Sequence, residues 1–138
     1  MEIIAHRGNN NHDYSENTLE AILASINKEY VDGVEFDIRL TKDNKLVVIH
    51  DYLINEVSDG VGIVHEMTLQ EIKKYNFGTK EKPSKIATLE DVLKNVTNGK
   101  KLLIEIKEES NDFLKLGEVL DSVLKKYPNR NILLCSFN

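Results

Sequence analysis

Short apolar runs alternate along this chain with segments whose hydrophobic residues recur at helical spacing, and the runs end in charged or polar side chains. Parallel strands need long crossovers, usually helical, so this alternation predicts an α/β fold built on a parallel sheet or barrel. Ile3 to Ala5 reads as a buried strand delivering His6, Arg7 and a polar loop. Leu19, Ile22, Leu23, Ile26 and Tyr30 predict a helix over roughly 18 to 30, with Asn17 capping its first turn and Glu20 completing a capping box. Gly33 to Leu40 alternates strictly, placing Val34, Phe36, Ile38 and Leu40 on one face and Glu35, Asp37 and Arg39 on the other. A tight turn through Asn44, a residue that tolerates a left-handed backbone, leads to Leu46–Ile49 and then to His50 and Asp51. So short a link predicts an antiparallel arm rather than another parallel strand.

Residues 52–85 hold Gly60, Gly62, Gly78 and Pro83 and little periodicity beyond one helical turn after Thr68, where Thr68 and Glu71 make a capping-box pair. They read as an insertion within one 1–138 domain. Thr88 caps a helix carrying Leu89, Val92, Leu93 and Val96, which Asn98 and Gly99 end. Leu102–Lys107 is a strand with Leu103, Glu105 and Lys107 on one face. Phe113, Leu116, Leu120, Val123 and Leu124 mark a last helix, and Ile132–Ser136 a fourth parallel strand. With 138 residues, 41% of them hydrophobic and 30% charged, the chain is able to bury a core. Its formal charge of −5 argues against a nucleic-acid face. No run approaches the about 20 apolar residues of a membrane span, and the start is too short and acidic for a signal peptide, so a cytoplasmic location is expected. The single Cys135 excludes an intramolecular disulfide and a multi-cysteine zinc site, and reads as core packing.

The polar residues fall in a pattern. His6 and Arg7 end the first strand, Glu35 and Asp37 lie late in the second, Glu105 and Lys107 end the third, and Ser136 ends the fourth. Taken singly, each has a structural reading: a strand-end histidine, a solvated sheet face, a surface ion pair. Taken together they gather at the carboxyl ends of strands, where side chains of a βα barrel converge on rigid supports. Three carboxylates, a lysine and an arginine in one place are costly unless cations and anions compensate each other. A divalent metal and an anionic substrate would do this. Glu35, Asp37 and Glu105 suit a hard, oxygen-seeking cation such as Ca²⁺ or Mg²⁺. Arg7, by its fork geometry, and Lys107, as a point charge, would hold phosphate oxygens. His6 and His50 are two imidazoles able to exchange protons near neutral pH. These are the parts for metal-assisted phosphodiester cleavage. Asp51, His12 and His65 show no partner and read as loop residues, and Asn44 and Thr88 as structural ones.

The segments IAHRG (4–8), ENT (16–18), GVEFD (33–37), LVVIHD (46–51), TLEDVL (88–93), LLIEIK (102–107) and LLCSF (133–137) resemble, in order and spacing, the glycerophosphodiester phosphodiesterase family. The resemblance implies a TIM (β/α)8 barrel and hydrolysis of a glycerophosphodiester to an alcohol and glycerol 3-phosphate with a divalent cation. It makes His6 and His50 the acid/base pair, Arg7 and Lys107 phosphate contacts, Glu35, Asp37 and Glu105 metal ligands, and 52–85 the family's insertion.

Ser15 and Ala87 stand where the family usually has proline, a departure expected to affect stability slightly. The larger departure is length. A complete barrel takes about 250 residues, and this chain, with no tryptophan, has no counterpart of the later strands, including the tryptophan-bearing one that lines the glycerol pocket. The expectation is an incomplete barrel, its N-terminal half of four parallel strands and an arm, with two copies pairing as a homodimer to hide the open edges. The alternative functions are a phosphatidylinositol phospholipase C-like phosphodiesterase and a non-catalytic fragment that binds metal or a phosphate ester.

Overall fold

The computed structural model describes residues 1–8, 13–107 and 113–136. His12 and Phe137, both noted above, lie outside the described residues. One sheet holds β1 (Ile4–His6), β2 (Gly33–Leu40), β3 (Leu46–Val48), β4 (Lys101–Ile106) and β5 (Asn131–Cys135). β1, β2, β4 and β5 are parallel and adjacent in that order, and β3 pairs antiparallel with β2. The helices are α1 (Leu19–Ile26), α2 (Leu69–Ile72), α3 (Leu89–Asn95) and α4 (Phe113–Lys125), with a 3-10 turn at Val64–Glu66. The sheet is open, as expected of part of a barrel. Among the described residues no helix is long and apolar enough to cross a membrane.

β2 is the centre of the molecule, and all eight of its residues are buried. Its carbonyls alternate between the two edges. Ile38 O accepts from Lys107 N–H at 3.0 Å on the β4 side, whereas Asp37 O accepts from Ile49 N–H at 2.9 Å on the other. The arm β3 therefore continues the edge that short β1 begins. Val34, Phe36, Ile38, Leu102 and Ile104 face the helices and pack with Ile22, Ile26, Leu89, Val92, Leu93, Leu116 and Leu120 in the main core. Residues 52–85 carry a second, smaller core, in which Ile54, Val64, Met67, Ile72 and Phe77 rest against Val47, Ile49 and Ile86. That separate cluster seats the segment on the arm.

Local chemistry corrects two helix limits. α1 is capped by Thr18, whose hydroxyl accepts from Ala21 N–H at 3.2 Å, and not by Asn17. An N-cap needs extended backbone, and Asn17 is left-handed at φ 59°. The helix also stops at Ile26 instead of near residue 30. Asn98 Nδ2 donates to Ile26 O at 3.1 Å and Lys100 Nζ to Lys28 O at 2.7 Å, so distant side chains satisfy carbonyls around its end. At α3 the expected cap holds, with Thr88 Oγ1 accepting from Asp91 N–H and Asp91 accepting from Thr88 N–H. Thr68 accepts from Glu71 N–H at α2, and Asn44 is left-handed in its turn.

Candidate active site

Strand register assembles the site. Asp37 stands beside Glu105 on β4, and Glu35 beside His6 on β1. Neighbouring residues in register point to the same face of a sheet, so the polar face of β2 continues across three strands. On β2 itself that face is not solvated. Glu35 is 7% exposed and Asp37 fully buried, which removes the reading of an ordinary wet surface.

Three carboxylates meet there. Glu35, Asp37 and Glu105 each offer an oxygen, and these oxygens lie within 4.8 Å of one another. Burial raises the Glu35 carboxyl above its ordinary range, and the Asp37 charge beside it adds to the rise. Burial likewise raises Asp37, against the opposing hydrogen bond from Asn17. Glu105 is also pushed up by burial, but the hydrogen bond and charge of Lys107, whose Nζ sits 2.7 Å from Glu105 Oε1, bring it below the ordinary range. Two buried oxygens, Glu35 Oε1 and Asp37 Oδ1, have no partner among the described residues. An all-oxygen set with unpaired buried acceptors fits a hard divalent cation, which would satisfy them and relieve the repulsion.

Basic side chains surround this cluster. Arg7 and Gly8 turn sharply after β1, with φ 53° and 70°. A side chain at Gly8 would put its Cβ 2.8 Å from Ile22 N, so the turn lies directly on α1. Ser25 Oγ donates to Gly8 O from that helix. The turn aims Arg7 back at the cluster: its N–H donates to Glu35 Oε2 at 3.2 Å, its Nε lies 3.4 Å from Asp37 Oδ2, and its Nη1 donates to Glu16 Oε1 at 2.9 Å. His6 Nε2 is 3.4 Å from Glu35 Oε2, with its side chain 70% exposed. His50, just past β3, places Nδ1 2.9 Å from Asp51 Oδ1. Arg39 Nε donates to the His50 carbonyl at 2.9 Å, which anchors the backbone there.

All seven residues singled out for chemistry thus lie on one rim of the sheet. The sequence missed their supports. Asp51, read as a loop residue, contacts His50 directly, as its adjacency could have suggested. Asn17, read as a cap, hydrogen-bonds Asp37; its membership in the ENT segment was the available signal. Cys135 is in register with Glu105, on the site face, and is half-buried with Sγ donating to Ile104 O at 3.7 Å. Burial and the nearby carboxylates raise its thiol, so it is not a simple core residue. His65 stays away from the site, its ring tilted against Tyr52 at 5.3 Å.

Beside His50, a cavity of about 260 Å³ is lined by Glu16, Asn17, Asp51, Glu56, Val57 and Phe77 among others. A larger groove of about 540 Å³ lies between α3, α4 and the arm, but it mixes lysines with acids and none of the carboxylate cluster lines it.

Comparison with known proteins agrees with this geometry. Residues 6–138 match the glycerophosphoryl diester phosphodiesterase family. A glycerophosphodiester phosphodiesterase of Caldanaerobacter subterraneus subsp. tengcongensis is 36% identical over 99% of this chain and 58% of its own length. Human glycerophosphodiester phosphodiesterase 1 is 32% identical over 99% of this chain and 43% of its own. A structure of an Oleispira antarctica phosphodiesterase, in complex with the product sn-glycerol-3-phosphate, superposes with a TM-score of 0.91 at 26% identity, covering 100% of this chain and 58% of that one. The Thermotoga maritima glycerophosphodiester phosphodiesterase gives 0.79 at 33% identity, covering 100% and 55%. The chain spans about half the length of the relatives it matches. Motif order, strand register and overall likeness converge on one conclusion: the chain belongs to the glycerophosphoryl diester phosphodiesterase family.

Proposed function

We propose that the site hydrolyses glycerophosphodiesters to an alcohol and glycerol 3-phosphate, with a divalent cation, Ca²⁺ or Mg²⁺, held by Glu35, Asp37 and Glu105. The observation that carries this reading is the pair of buried oxygens, Glu35 Oε1 and Asp37 Oδ1, that have no partner among the described residues and are ringed by Arg7, Lys107 and two histidines. The cation supplies positive charge to phosphoryl oxygens as negative charge builds on them. Arg7 and Lys107 orient the phosphodiester above the cluster, Arg7 through its planar fork and Lys107 as a compact charge. His6 and His50 move protons: one takes a proton from the attacking water as its oxygen bonds to phosphorus, and the other gives a proton to the departing alkoxide as its bond to phosphorus breaks. Asp51 holds the His50 ring by accepting at Nδ1, which leaves Nε2 free to meet substrate. The product complex of the Oleispira antarctica relative supports glycerol 3-phosphate as the product here, and the cavity beside His50 offers space for the leaving alcohol.

The test is release of glycerol 3-phosphate from glycerophosphocholine with Ca²⁺ or Mg²⁺, and its loss with EDTA. Cation binding without turnover would leave a phosphate-ester-binding module. Cleavage of phosphatidylinositol in preference to the water-soluble diester would favour the phospholipase reading.

We propose also that residues 1–138, expressed by themselves, self-associate as a two-fold dimer. β1 and β5 are open edges, and Ile3, Leu133 and Leu134 beside them are 43%, 54% and 43% exposed. Unpaired backbone on an apolar edge recruits another strand. Light scattering at micromolar concentration should show twice the 15.8 kDa chain mass, and a stable species at that single mass overturns the proposal.

A further inference from the structure

We propose that Asn17 is a positioning residue for the cation site, selecting which Asp37 oxygen is presented to the ion. The inference rests on the cation-binding reading above. Asn17 is 9% exposed and left-handed at φ 59°. Its Nδ2 donates to Asp37 Oδ2 at 3.1 Å, and its Oδ1 accepts from Asp37 N–H at 3.4 Å. One carboxamide thus grips both the backbone and the carboxylate of a single residue. With Oδ2 engaged by Asn17 and approached by Arg7 Nε, the other oxygen, Oδ1, is left buried and has no partner among the described residues.

A second bond ties the same residue to the neighbouring ligand. Asn17 N–H donates to Arg7 O at 2.8 Å, and Arg7 N–H donates to Glu35 Oε2 at 3.2 Å. Asn17 therefore links the supports of Glu35 and Asp37, which sit side by side on the polar face of β2. Few side chains meet these demands. Aspartate would set an acceptor against the Asp37 carboxylate, glutamine is one methylene longer, and serine lacks the second polar atom. Asparagine also enters the left-handed region more readily than most residues. Partners that orient metal ligands commonly change affinity by about 10- to 100-fold when removed.

Asn17→Gly keeps the left-handed backbone and its N–H and removes only the carboxamide. Calorimetric titration with CaCl₂ and MgCl₂ should show about 10- to 100-fold weaker binding in the variant, with the cation-free fold unchanged by circular dichroism. A purely structural Asn17 would lower the cation-free melting temperature and leave affinity intact, and equal affinity in variant and wild type overturns the proposal. Should the variant not fold, the wild-type carboxamide answers by nuclear magnetic resonance. Its protons should exchange slowly and shift with the same cation midpoint as the calorimetry. Freely exchanging, unshifted protons overturn the role. Wild-type protein that binds neither cation overturns the cation reading itself and this role with it, a result distinct from binding that ignores Asn17.

Discussion

His6→Ala and His50→Ala are each expected to lower glycerophosphodiester turnover by about 10² to 10⁴, the usual scale of general acid–base catalysis. Neither change should unfold the protein. The His6 side chain is 70% exposed, and the His50 backbone is held independently by Arg39. The two variants should differ in one respect. His50 is oriented by Asp51, so Asp51→Asn weakens the hold on the ring and should reproduce part of the His50→Ala loss. Steady-state rates on protein checked by circular dichroism decide the matter. Near-wild-type turnover in either histidine variant removes that residue from the mechanism.

Glu35→Gln should have two opposite effects on stability. Glu35 and Asp37 have carboxyls raised in the folded chain above ordinary values of 4.5 and 3.8. As pH rises, the unfolded chain loses these protons first. The stabilising contribution is therefore whole below the ordinary values and is lost as pH climbs through the raised, folded ones. Glu105, held down by Lys107, acts in reverse and loses its contribution on acidification. Without cation at neutral pH, buried Glu35 and Asp37 thus oppose folding, and Glu35→Gln should raise the melting temperature and flatten its fall above pH 4.5. With cation the order inverts. At 100 times its Kd a bound ion adds about 2.7 kcal/mol to wild-type stability, a rise of about 5–10 °C for a chain of this size. The variant should show none of it. A cation-induced rise that survives Glu35→Gln would falsify the ligand assignment.

Much of the site was legible along the chain because strand periodicity is local. Alternation from Gly33 to Leu40 put Glu35 and Asp37 on one face, and the ends of apolar runs marked His6, Arg7, His50, Glu105 and Lys107. The caps were legible where the backbone was ordinary, as at Thr88, and misread where it was not, as at Asn17. A left-handed residue at a helix start looks like a cap in sequence, since the same short polar side chain suits both.

The sequence by itself determined the order of strands and helices, the residue types at strand ends and, through its motifs, the family. Only the tertiary structure decided that Glu35 and Asp37 are buried, that Cys135 shares their face, and that Asn17 reaches Asp37. The reason is range. Register between β2 and β4 joins residues such as Asp37 and Glu105 that are far apart in the chain, and a one-residue slip would send either side chain to the opposite face. Burial, unpaired oxygens and raised carboxyls all follow from that register, and no window along the chain contains both strands.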